Sequence, residues 1–97
     1  MTRLEIRPEA AYDLDEAARW YEARRENLGN EFLDEAKSMF LRIVENPLQF
    51  PLVYRDARRA LMHRFPFAVY FRLVGEEALV LAVMDFRRKE SRWQRRI

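Results

Sequence analysis

The 97-residue chain is long enough for one small domain and too short for two. With 49% hydrophobic and 35% charged residues and only 2 Gly and 4 Pro, it is too apolar for a disordered tail and too charged for a membrane span, and with no Cys it has no disulfides or thiolate chemistry. The net charge of +2 divides unevenly: residues 1–50 carry 7 Lys+Arg against 11 Asp+Glu, whereas residues 51–97 carry 11 against 5.

The first run, over residues 2–7, alternates polar and apolar with Leu4 and Ile6 on one face, the period of a half-buried strand. Pro8 suits the first turn of a helix, and Glu9, Asp13, Asp15 and Glu16 follow on its early turns, where its dipole favours negative charge. The stripe Ala10, Ala11, Leu14, Ala17, Ala18, Tyr21 predicts a helix over 8–28, with Gly29 in a left-handed C-terminal position and Asn30 capping the next helix. Phe32, Ala36, Met39, Phe40 and Ile43 carry that helix over 30–46, until Asn46-Pro47 stops it, and so short a link folds the pair into an antiparallel hairpin. Residues 49–56 show no period and read as a loop. Strands are expected over 58–64, 67–74 and 77–85, the last two joined by a Gly75-Glu76 turn, followed by a basic tail over 86–97. The fold class is therefore α+β, in the order β-α-α-β-β-β, with an antiparallel sheet covered on one face by the helical hairpin.

Little in the chain supports catalysis. His63 is the only histidine, and Ser38 and Ser91 are the only serines, with no spacing that suggests a relay. No Gly-rich phosphate loop or metal-ligand cluster is present, so neither a metal nor another cofactor is expected. The basic charge is nearly all arginine, and guanidinium groups clamp phosphates and carboxylates but do not abstract protons at neutral pH. Arg58, Arg59, Arg64, Arg72, Arg87, Arg88 and Arg95 are the expected contacts with an anionic partner, together with Trp93 in the tail and Trp20, half off the alanine stripe. With no cysteine, no leader-like segment and no long apolar run in view, the expectation is a cytoplasmic protein without a membrane partner.

Several strings in this order resemble the RelE/ParE toxins of bacterial type II toxin-antitoxin systems. They are Pro8-Glu9-Ala10, Trp20-Tyr21-Glu22, Leu28-Gly29-Asn30-Glu31-Phe32, Asn46-Pro47 with Phe50-Pro51, Arg64-Phe65-Pro66-Phe67 leading into Val69-Tyr70-Phe71, and Arg87-Arg88 followed by Trp93 and Arg95-Arg96. The resemblance covers nearly the whole chain. It implies a small growth-arresting toxin neutralised by a cognate antitoxin, whose acidic, partly disordered tail would meet the arginine-rich half.

The family holds two activities, ribosome-dependent messenger RNA cleavage (RelE-like) and poisoning of DNA gyrase (ParE-like). Against the cleaving pattern, Phe67 is followed by Ala68 rather than arginine, Arg59 and Leu61 stand where lysines are characteristic, and Trp93-Gln94 replaces a C-terminal tyrosine. Arg88 alone matches. The resemblance therefore favours a non-catalytic gyrase poison. An endonuclease using Arg59, His63 and Arg88 is the first alternative, and an inactive relic or binding adaptor the second.

Overall fold

The computed structural model describes residues 2–88 and 91–97. Strand β1 (Arg3–Ile6) leads into helix α1 (Pro8–Glu22) and helix α2 (Leu28–Glu45), then a 3₁₀ turn (Pro47–Gln49). Strands β2 (Leu52–Tyr54), β3 (Ala57–Leu61), β4 (Phe67–Val74) and β5 (Glu77–Asp85) follow, and a four-residue helix α3 (Ser91–Gln94) ends the chain. The sheet order is β1-β5-β4-β3-β2. The class is α+β, with the helical hairpin on one face.

The sheet is mixed, not wholly antiparallel: β1 runs parallel to β5, with Leu4 opposite Ala78 and Ile6 opposite Val80. The connectivity requires this. Two antiparallel helices return the chain to the end at which β1 finished, so β2 runs against β1, and three successive reversals then bring β5 into line with it. Strand β5 thus lies between β1 and β4, and its unbroken apolar run is covered on both faces.

Three element boundaries depart from the periodicity. The helices are parted at residues 23–27, and Asn27, not Gly29, takes the left-handed conformation, with φ 70°. Gly29 sits inside α2 because the helices approach too closely there for a side chain: a Cβ would lie 2.6 Å from the Ala18 carbonyl oxygen. Asn30 does not cap α2; Glu22 replaces it, its carboxylate accepting the Asn27 amide at 2.8 Å and the Gly29 amide at 2.9 Å. The expected loop over 49–56 contains β2, too short to show alternation, and the positive φ of Arg55 turns it back into β3. The strand expected over 58–64 spans Ala57–Leu61, since the His63 and Arg64 amides leave the ladder to donate to Glu35 at 2.7 and 3.1 Å.

The sheet separates two apolar clusters. On the helix side, Phe32, Met39, Ile43, Val69, Phe71, Val80 and Val83 pack with Phe65 and the alanines of α1. On the other side, Ala57, Ala68, Tyr70, Leu81 and Ala82 lie under Trp93 from α3. Leu81 is the extra residue of a β-bulge, since Tyr70 pairs with Ala82 and Phe71 with Val80. The bulge puts Leu81 and Ala82 on the same side and leaves the Leu81 carbonyl and Val83 amide for the partners described next.

Candidate docking groove and arginine face

Strand β1 ends opposite Val80, so the last turns of β5 border a groove and not another strand. The groove has a volume of about 270 Å³ and runs between α1 and the C-terminal tail. Ala17, Tyr21, Phe67 and Val83 contribute its apolar lining, and Trp20, Glu16, Arg87, Arg88, Arg92 and Trp93 line it further.

Helical spacing places Trp20 and Tyr21 at this rim. Tyr21 packs inward against Phe32, Phe65 and Phe67 with ring centroids 5.4, 4.7 and 5.9 Å away, and burial above all holds its hydroxyl above the ordinary tyrosine range. Trp20 is 53% exposed, with the Arg24 guanidinium 3.6 Å from the centre of its ring. Asp85 closes the end of the groove. Its carboxylate accepts two bonds from the Arg87 guanidinium, at 3.0 and 2.7 Å, and the Arg87 amide at 2.9 Å, and hydrogen bonding by Arg87 holds it below the usual carboxylate range.

The tail is fixed by a second carboxylate. Asp13 on α1 accepts from Arg96 at 2.7 and 3.2 Å and from the Val83 amide at 3.0 Å, while Arg96 also donates to the Leu81 carbonyl at 2.9 Å. Trp93 is thereby laid over the sheet, 2% exposed, stacked on Tyr70 with centroids 4.1 Å apart and edge-on to Tyr54. Its Nε1 is buried with no hydrogen-bond partner among the described residues.

The arginines expected to meet a partner are therefore divided. Arg59 pairs in register with Tyr70 and shares its face of the sheet. Arg72, two residues beyond Tyr70 on that face, is held by Asp56 at 2.8 and 3.1 Å. Arg58 points the other way and donates to the Phe50 carbonyl at 2.7 Å, so it is a structural residue of the β2–β3 hairpin. Arg64 lies on the turn after β3, bound to Glu31 at 2.8 Å, and hydrogen bonds from Arg25 and Arg64 hold Glu31 below the usual carboxylate range. Arg88, Arg92 and Arg95 are exposed. Trp93, expected as a surface contact, is a core residue of the second cluster in this structure.

The candidate catalytic set does not converge. His63 is exposed on the turn beside Glu35, its Nδ1 3.8 Å from that carboxylate, whereas Arg88 lines the groove and Arg59 lies on the face covered by the tail. Among the described residues no three His, Asp or Glu side chains are placed to hold a metal ion, and no helix is long and apolar enough to cross a membrane. Sequence reasoning missed the role of Asp13 and its pairing with Arg96. The 83-residue separation of Asp13 and Arg96 leaves no local signal, but the four acidic residues early in α1 and the arginines of the tail were both visible as charges.

No family model matches the chain, and no curated protein matches it significantly. Among solved structures the chain is similar to one from the chromosomal ParDE TA system of P. aeruginosa, at 26% identity and a TM-score of 0.62, over 88% of this chain and 96% of that one. The match spans most of both chains, and with the helical hairpin and the mixed sheet it supports a ParE-like toxin of a type II toxin-antitoxin system.

Proposed function

We propose that this protein arrests growth without catalysis, by binding DNA gyrase, and that a cognate antitoxin neutralises it through an acidic segment docked in the groove between α1 and the tail. The observation that carries the reading is the dispersal of Arg59, His63 and Arg88 into three different environments. Cleavage of RNA through a 2′-hydroxyl needs proton transfer and charge stabilisation at one centre, each contributing a factor of about 10² or more. Arginines alone supply only charge. They suit a docking surface, and complementary potentials speed its capture by an acidic chain. The similarity to a ParDE structure supports the antitoxin partnership and the ParE side of the family.

Induction without a partner protein tests this in cells. The reading expects growth arrest with DNA-damage signalling and no new ends in translated messages. New message ends would favour the ribosome-dependent endonuclease, and undisturbed growth would favour an inactive relic or adaptor.

A further inference from the structure

The tail has two sides that face different things. Arg92 and Trp93 line the groove beside Trp20, and Trp93 also seals the aromatic recess over Tyr70. What lies beneath is a shallow dish: Ala57, Ala68 and Ala82 around Tyr70, with Arg59 and Arg72 on the same face. Opening the tail would uncover that dish together with Tyr54.

The tail is held by few groups. A four-residue helix is far below the length at which a helix is stable alone. One large ring, with Ile97 packed beside it, holds it down, and that ring buries an unpartnered indole N–H among the described residues, which subtracts from its contribution. Arg96 ties it further, bidentate to Asp13 with side chains 22% and 12% exposed and donating to the Leu81 carbonyl at 2.9 Å. A four-residue helix closed chiefly by one ring and one anchored arginine is the kind of segment that opens independently of the rest of a fold.

Charge indicates what would hold it shut. Of the groove's carboxylates, Asp13 is engaged by Arg96 and Asp85 by Arg87, leaving Glu16 against Arg88 and Arg92, for which no ion pair is found among the described residues. Arg88 belongs to the turn after β5, and Arg92 to the tail itself. We infer that an acidic partner segment seated in the groove, bridging Arg88 and Arg92, clamps the C-terminal tail shut over the Tyr70 dish. This rests on the reading that an acidic partner uses the groove, and adds how its binding silences the opposite face. A ligand that touches body and tail together binds only the closed form and shifts the equilibrium toward it. The coupling is reciprocal, so a change that lowers the closed fraction must weaken the ligand by the ratio of the two closed fractions.

The test uses the Trp20→Phe protein, in which Trp93 is the sole indole, and a synthetic peptide alternating glutamate and leucine. The expected result is that the peptide lowers acrylamide quenching of Trp93, consistent with a shift of about fivefold or more toward the closed form. Its glutamine counterpart should leave the quenching unchanged, and Arg92→Ala should abolish the protection. Arg96→Gln should raise quenching and weaken the peptide by the ratio of the two closed fractions, with Asp13→Asn as a second latch variant and far-UV circular dichroism confirming that both fold. The inference is overturned if the peptide raises quenching, if it binds without changing quenching, if binding does not depend on its charge, or if both latch variants leave Trp93 as protected as before. These measurements need neither growth nor gyrase. Protection of Trp93 in a protein that arrests nothing would remove the toxin reading alone.

Discussion

Two residues show how local chemistry sets tolerance here. Gly29 lies where α1 and α2 touch, and Gly29→Ala drives a methyl to 2.6 Å from the Ala18 carbonyl, backbone that moves only with the helix. We expect a loss of about 1–3 kcal/mol in urea unfolding, against a near-neutral effect for Gly75→Asn, whose turn is open and tolerates a positive φ. Asp85 sets a pH dependence with a defined sign. Arg87 lowers its folded pKa, so its contribution to stability is present above the unfolded value of about 4 and is lost as pH falls through the folded value. The Arg87 side chain is largely in water, so the contribution stays within about 1 kcal/mol. Acid titration of the unfolding midpoint should fall less steeply below about pH 4 in Asp85→Asn than in the parent.

Among the elements, the hairpin and the tail carry opposite weights. Phe32 is fully buried between Tyr21, Phe65 and Phe67, and Phe32→Ala should cost about 3–5 kcal/mol. Trp93 is larger and nearly as buried, yet Trp93→Ala can remove no more than the free energy of closing the tail and should therefore cost less than Phe32→Ala. Parallel denaturation curves measure the difference. Elements were legible where side chains alternate or recur long enough to register. Strands β4 and β5 match their apolar runs residue for residue, because both faces of each are covered. Strand β2 was not legible, since three residues hold no period, and neither was the parallel pairing of β1, which depends on the number of chain reversals after it. The site was half visible. The arginines and Trp20 stand out as composition, but the groove depends on where β1 stops, and Asp13–Arg96 joins the ends of the chain.

Across the whole molecule, the acidic first half supplies the helical hairpin and the basic second half most of the sheet and the tail. They meet at the groove, where Asp13 and Glu16 of α1 face Arg87, Arg88 and Arg92. A partner captured there by charge should bind more weakly as salt rises, with most of the change in the association rate. A domain of 97 residues spends most of its aromatic side chains on its own core, which leaves a surface suited to docking on something larger. Supercoiling by purified DNA gyrase, titrated with this protein in the absence of any antitoxin, tests that account most directly. It predicts inhibition with accumulated cleaved DNA. Undiminished supercoiling at saturating protein would contradict it.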